Sequence, residues 1–159
     1  DFYSESVLSF RVLINKTMED NIMIKLLIGK KGTGKTKALI EQVNAASSVA
    51  KGNVVFISNN TSSAIFDISK KVRMTDTTDF DIANYSEFEG FLCGIISGNY
   101  DITNIFVDGL FKIVNGDDLD GLENFLTRLE KISVKFDISF VLTLSIDADA
   151  APDYVKNFA

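Results

Sequence analysis

The stretch GKKGTGKT constrains the fold of this chain more than any other feature of its sequence. It fits the pattern G-x-x-x-x-G-K-[ST] at every fixed position, with an apolar strand candidate before it and a helix candidate after it. Glycines allow a tight turn in which backbone N–H groups converge on one anion, and the following helix adds its unpaired N-terminal amides. The pattern therefore predicts a phosphate-binding loop, of the Walker A or P-loop type. Its residues are Gly29, Lys30, Lys31, Gly32, Thr33, Gly34, Lys35 and Thr36, followed by Lys37.

The lysines and the threonine of this loop suit a magnesium–nucleotide ligand. Lys35 is expected to reach the β- and γ-phosphates, and the Thr36 hydroxyl to hold Mg²⁺. Lys30, Lys31, Lys35 and Lys37 form a basic cluster in an otherwise acidic chain. Such a cluster is either a solvated helix start or an attractor for polyphosphate. Because the helix dipole disfavours lysine at a helix N-terminus, the second interpretation is preferred.

A second motif lies about seventy residues further along, in the stretch IFVDG. An apolar strand that ends in aspartate is typical of the Walker B pattern, in which Asp108 would hold Mg²⁺ directly or through water. Alone the pattern is weak, since many buried strands end in an aspartate that caps the next turn. Here the strand should place Asp108 at the carboxyl edge of the sheet, where the predicted phosphate-binding loop also lies. Lys35 and Asp108 are therefore the predicted catalytic residues, and Thr36 and Asp108 the predicted metal ligands.

Composition narrows the class of protein further. The 159 residues suit one domain, and 46% hydrophobic with 24% charged residues are ordinary for a soluble globular protein. The sequence has no apolar run of the roughly 20 residues that a membrane helix needs, so no membrane association is expected. A net charge of −6 argues against direct binding of nucleic acid. One cysteine and no histidine exclude an intrachain disulfide and the usual zinc site, which favours a cytoplasmic location.

The chain divides into a leader of uncertain status, residues 1–21, and a nucleotide-binding domain, residues 22–159. The segment from Val7 to Ile14 could add an edge strand. Alternatively, the chain could truly start at Met18 or Met23, which would make the leader an artefact.

Periodicity within the domain predicts alternating strands and helices. Strands are expected at 24–28, 53–58, 105–108 and 138–145, and helices at 36–50, from Ser86 to Gly98, and from Asp118 to about Ile132, with a short helix at 152–158. The segments 65–68 and 72–75 are expected to form a small hairpin or edge strands. Polar residues 59–63 form either a plain surface turn, which is favoured, or part of a ligand crevice.

The sequence also predicts the roles of several individual residues. Ser86 and Glu89 fit a capping box, and Gly52 fits a helix stop. Cys93 is expected to be a small core residue, because no histidine is present to activate it. Arg73 is expected on the surface, with a phosphate-sensing role as the alternative.

The order of motifs and elements resembles the RecA-like P-loop NTPases. This resemblance implies an α/β fold, a single three-layer α/β/α domain with a mainly parallel sheet, in which another strand separates the two motif strands. It also implies ATP and Mg²⁺ as ligands, and a polar residue after the Walker B strand that senses the γ-phosphate, for which Thr143 and Ser145 are the matching positions. Residues from about Met23 to Ser145 are similar to small clostridial-type ATP-binding proteins labelled twitching-motility retraction ATPase-like, through the patterns IGKKGTGKT, GFLCGI, GNYDIT and IFVDG.

The chain departs from the RecA-like pattern at one place. These ATPases usually carry a catalytic glutamate beside the Walker B aspartate or on a neighbouring strand, whereas Gly109, Leu110 and Phe111 follow Asp108 here. The sequence therefore predicts an Mg-ATP-binding protein whose ATPase activity is weak or depends on a protein partner or homo-oligomer. A nucleotide-binding switch or scaffold that does not hydrolyse is the alternative. A small-molecule kinase ranks third, since the chain has only three arginines. No guanine-reading Asn-Lys-x-Asp motif is present, which favours ATP over GTP.

Overall fold

A computed structural model describes residues 10–14 and 24–157 and shows a six-stranded sheet with helices on both faces. The strands are β1 (Phe10–Ile14), β2 (Ile24–Gly29), β3 (Asn53–Ser58), β4 (Arg73–Asp76), β5 (Ile102–Asp108) and β6 (Ser139–Leu144). The helices are α1 (Lys35–Val49), α2 (Tyr85–Ser97), α3 (Leu110–Ile113), α4 (Leu119–Phe136) and α5 (Asp153–Asn157). Within the predicted leader only β1 is described. The other leader residues, both proposed start methionines and Phe158 lie outside the described ranges.

The sheet has the strand order β1-β2-β6-β5-β3-β4, and the five strands from β2 to β4 in this order run parallel. Only β1 is antiparallel, pairing with β2 at the edge. The α/β prediction is thus confirmed, and the sheet is mainly parallel. Strand β6 lies between β2 and β5, which is the separation of the two motif strands that was expected.

Alternating side chains of the central strands enter two different cores. On one face, Leu26, Ile105 and Leu142 pack with helices α2 and α4. On the other face, Leu27 and Phe106 pack with α1. Because both faces are covered, the strands are almost continuously apolar, which is the pattern of buried parallel strands.

Of the two alternatives for 65–68 and 72–75, the hairpin is wrong, and an edge strand is confirmed for the second segment only. Residues 65–68 form a turn, and only β4 is a strand, which pairs in parallel with β3. Ala64 and Ile68 are buried against the α1 face, whereas Ile65 and Phe66 are 53% and 96% exposed. The two buried residues are four positions apart, whereas buried and exposed residues alternate along a strand. Arg73 is exposed at the start of β4, as predicted.

Two predictions about α2 need correction. Its N-terminal cap is Asn84, whose side chain accepts a bond from the Glu87 amide, so the helix begins before Ser86. Cys93 is exposed and is not a core residue. The buried stripe of α2 is Phe88, Leu92 and Ile96, and the residue after Leu92 is turned about 100° away from it.

The end of α1 differs slightly from its prediction. The helix stops at Val49, which is 80% exposed, and the extended residue Ala50 forms its C-cap. Gly52 lies beyond this cap and has another role. A Cβ atom there would lie 2.0 Å from the carbonyl oxygen of Asp101, so the close approach of two backbones requires glycine.

None of the helices within 10–14 and 24–157 combines the length and apolar character needed to cross a membrane.

Candidate functional site

A cleft of about 460 Å³ lies at the carboxyl edge of the parallel strands, where β2, β3, β5 and β6 end. This edge is the usual ligand crevice of open parallel sheets. The cleft is lined by Lys31, Gly32, Gly34, Lys35, Thr36, Ser58, Asn59, Asn60, Ser63, Asp108, Gly109, Phe111, Lys112, Thr143 and Ser145. The polar segment after β3 therefore belongs to the crevice, and the favoured plain-turn interpretation is wrong.

The loop between β2 and α1 depends on two glycines. Gly32 and Gly34 have φ angles of 81° and 88°, in the left-handed region where other residues are strained. A Cβ atom at either position would meet nothing within 4 Å, so backbone conformation and not space demands glycine here. Gly34 is the N-cap of α1 and, as a glycine, offers no side chain to the amides of the first helical turn.

Lys35 is a buried cation inside this loop, only 7% exposed. Its Nζ donates to the carbonyl oxygens of Gly29 and Lys30, each at 2.9 Å. The Thr33 hydroxyl also donates to the Lys30 oxygen, at 2.7 Å. Burial lowers the pKa of Lys35 below its usual value, the nearby Asp108 carboxylate opposes this shift, and Lys112 adds to it. The ammonium group thus holds the ring of the loop together.

Thr36 and Asp108 meet at the mouth of the cleft, although 72 residues separate them in the chain. The Thr36 hydroxyl lies 3.1 and 3.0 Å from the two carboxylate oxygens of Asp108. This pair brings two oxygen ligands of the kind that Mg²⁺ prefers to one point beside Lys35. The predicted juxtaposition of these two residues is confirmed.

Thr143 positions Asp108 from the neighbouring strand β6. Its hydroxyl donates to the Asp108 carboxylate at 2.8 Å and accepts from the Gly109 amide at 2.7 Å. Thr143 is 2% exposed, whereas Ser145 is exposed and lines the cleft. Of the two positions suggested by the resemblance, Thr143 supports the carboxylate, and Ser145 is open to the cleft.

Asp76, at the end of β4, holds the loop that follows β3 and was not predicted. Its carboxylate accepts from the amide and hydroxyl of Thr61 and from the amide and hydroxyl of Thr78. These hydrogen bonds, those of Thr78 above all, lower the pKa of Asp76 to about 2. The sequence signal would have been an aspartate at a strand end followed by threonines, a common turn pattern.

Some predicted site residues do not line the cleft. Gly29, Lys30, Thr33 and Lys37 are absent from its walls. Lys30 is exposed and forms an ion pair with Asp147 at 3.5 Å, and Lys37 is exposed on α1. Gly29 and Lys30 instead bind the Lys35 ammonium through their backbone carbonyl oxygens.

Among the described residues that line the cleft, Asp108 is the only one with a carboxylate. Glu41 is exposed, Glu87 bonds to the Ala83 amide, and Glu89 pairs with Arg128. In the part of the chain that the structure describes, no group of three or more histidine, cysteine, aspartate or glutamate residues could hold a metal ion by itself. A metal at Asp108 would therefore need ligands beyond carboxylates.

No family model and no curated protein matches this chain. Its class rests on its own topology, an α/β protein with a five-stranded parallel sheet flanked by helices and a loop–helix cleft at the carboxyl edge.

Replacing Thr143 with valine is expected to destabilise the protein by about 2 kcal/mol. Valine keeps the shape but leaves the Gly109 amide without its partner, and a buried unsatisfied donor costs about 1–3 kcal/mol. Urea denaturation of T143V and T143S measures the difference. T143S keeps the hydroxyl and should lose less, and equal losses in both variants would contradict a role for the hydroxyl.

Proposed function

We propose that this protein binds Mg-ATP in the cleft as a RecA-like P-loop protein, with ATP hydrolysis that is weak or depends on a partner. The observation that carries the proposal is the hydrogen bond between Thr36 and Asp108 beside the glycine loop. Two chain segments far apart in sequence supply a hydroxyl and a carboxylate next to the buried ammonium of Lys35. Thr36 and Asp108 would hold a Mg²⁺ ion, which would neutralise charge on the nucleotide phosphates.

The donor set fits magnesium. Mg²⁺ is commonly held by one or two protein oxygens, with water and substrate phosphates completing its octahedron. The absence of a larger carboxylate cluster among the described residues is consistent with this mode. The metal would supply charge neutralisation at the phosphates, and Thr143 would keep Asp108 turned toward it.

The loop fits a polyphosphate. Gly32 and Gly34 in left-handed conformations turn the backbone between β2 and α1, and the first-turn amides of α1 have no side-chain cap. Converging amides, a helix N-terminus and a lysine together form an anion site. The Lys35 ammonium would exchange its two carbonyl partners for phosphate oxygens.

Weak hydrolysis follows from the lining of the cleft. A glutamate or glutamine that orients the attacking water is a recurring part of phosphoryl-transfer sites. Among the described residues, the lining contains neither, and its single carboxylate, Asp108, is engaged by Thr36 and Thr143. The same observation supports the second candidate, a nucleotide-dependent switch that does not hydrolyse.

Titration with nucleotides in the presence of Mg²⁺ tests the proposal. ATP at a hundredfold excess over its Kd should raise the free energy of unfolding by about 2.7 kcal/mol, with a smaller effect of GTP at the same concentration. A phosphate-release time course, with and without candidate partners, then separates ATPase from switch. The absence of any ATP-dependent change in melting temperature would overturn both candidates.

Replacing Asp108 with asparagine should weaken binding of ATP much more with Mg²⁺ than with EDTA. The substitution removes the carboxylate charge but keeps a side chain of the same shape, so the loop and Lys35 remain. We expect a loss of about tenfold with Mg²⁺, since charged contacts are worth about 1.5–3 kcal/mol. Isothermal titration calorimetry under both conditions measures it, and equal losses would remove Asp108 from the metal shell.

A further inference from the structure

Lys112 lies on the short helix α3, directly after the strand that ends in Asp108. Its side chain lies along the bare face of Gly109, since a Cβ atom added there would be 3.8 Å from Lys112 Cδ and 3.9 Å from its Cβ. Gly109 itself has a φ of 75°, which turns the chain sharply from β5 into α3. After this turn, Lys112 lines the cleft together with Asp108 and Gly109.

Within the part of the chain that the structure describes, the ammonium group of Lys112 has no partner. Among residues 10–14 and 24–157, it takes part in none of the ion pairs and side-chain hydrogen bonds that the structure contains. Its charge nevertheless acts on Lys35, whose pKa it helps to lower. The cleft lining therefore holds three lysines, Lys31, Lys35 and Lys112, against the one carboxylate of Asp108. An excess of positive charge in one cleft favours a polyanionic ligand.

Neither Arg73 nor Arg128 can take this place. Arg73 is exposed at the start of β4, the strand end away from the cleft, and Arg128 is paired with Glu89 on the α2–α4 side. Phosphoryl sites usually contain a cation that faces the terminal phosphate in addition to the loop lysine. Lys112 stands at the boundary between the main cleft and a second cavity of about 340 Å³, which it lines together with Asn59. The cleft thus has room for the end of a ligand on the Lys112 side.

We propose that Lys112 binds the terminal phosphate of the nucleotide and makes the cleft select a triphosphate over a diphosphate. The inference rests on the proposed function and adds a residue to it. The loop amides and Lys35 come from the segment between β2 and α1, and Asp108 and Thr36 would hold the metal. Lys112 comes from α3, which follows Asp108, and does not belong to the glycine loop, so its ammonium takes the terminal phosphate and leaves the inner ones to the loop.

Calorimetric titration of K112Q and K112R with ADP and with the β,γ-imido analogue of ATP, both with Mg²⁺, tests this assignment. In K112Q, affinity for the triphosphate analogue should fall about tenfold while affinity for ADP changes less than about twofold, because only the terminal phosphate loses a charged contact. K112R keeps the charge and should recover most of the affinity. K131Q, which removes the charge of an exposed lysine on α4, is the matched control and should behave as the wild type.

The possible results distinguish a failure of the proposed function from a failure of the role of Lys112. Wild-type protein that binds neither nucleotide overturns the proposed function and this inference together. Wild-type binding with unchanged triphosphate affinity in K112Q overturns the role of Lys112 alone. Equal losses for the analogue and ADP also overturn it, since they would assign Lys112 to the inner phosphates or to the fold. The melting temperature of each variant without ligand identifies any loss of folding.

Discussion

Lys35→Ala is expected to lower the affinity for Mg-ATP by about a hundredfold. A hydrogen bond to a charged group is worth about 1.5–3 kcal/mol. The loss of two contacts between the ammonium and phosphate therefore costs at least about 3 kcal/mol, which raises Kd about a hundredfold. The ammonium is already directed into the loop by the carbonyl oxygens of Gly29 and Lys30, so little further ordering opposes its binding to phosphate. Any phosphate release by the wild type should disappear with it.

A second variant separates binding from folding. Lys35→Met lacks the ammonium but retains most of the apolar part of the side chain. This part is buried, since Lys35 is only 7% exposed. Both variants should bind equally poorly in a calorimetric titration, whereas K131A should bind as the wild type. Retention of wild-type affinity in Lys35→Met would contradict the assignment of the loop as the phosphate site.

Gly52→Ala is expected to destabilise the fold by about 3 kcal/mol, at the upper end of the range for overpacked sites. The new methyl group would lie 2.0 Å from the Asp101 carbonyl oxygen and 2.7 Å from Thr103 Cγ2. The same carbonyl oxygen accepts a hydrogen bond from the Asn53 amide at 2.8 Å. This bond links the first residue of β3 to the residue before β5. The backbone must therefore move, and this hydrogen bond is strained or lost.

Gly90→Ala is the matched control for this substitution. Gly90 is exposed in α2, and a Cβ atom there meets nothing within 4 Å. Alanine should stabilise the helix by up to about 1 kcal/mol. Urea unfolding of the two variants should move in opposite directions from the wild type. A Gly52→Ala protein of wild-type stability would show that the two backbones are not in fixed contact.

The central strands and the site could be predicted where local pattern and tertiary structure agree. Strand β3 was predicted at its observed bounds because its apolar run is buried on both faces. Thr36 and Asp108 could be brought together because parallel strands place their carboxyl ends at one edge. Both inferences depend on residues whose position follows from the strand direction alone.

The remaining features depend on packing that the sequence does not display. Cys93 is exposed because it lies one position after Leu92 and is therefore turned away from the buried stripe of α2. The role of Asp76 requires that β4 pair in parallel with β3, which brings its carboxylate to Thr61. Lys112 enters the cleft only because Gly109 adopts a left-handed conformation. Each depends on a register or backbone angle set by tertiary contacts.

The unequal cores on the two faces of the sheet have a consequence for hydrogen exchange. Among the described residues, the face covered by α2 and α4 contains 25 buried apolar residues, and the face covered by α1 contains 10. Amides of α1 should therefore exchange with solvent deuterium through local openings that leave the other layer intact. Since α1 begins at Lys35, a bound nucleotide would slow this exchange more than that of α4. Slower hydrogen exchange confined to the α1 layer would show that nucleotide occupies the loop while the larger core remains unchanged.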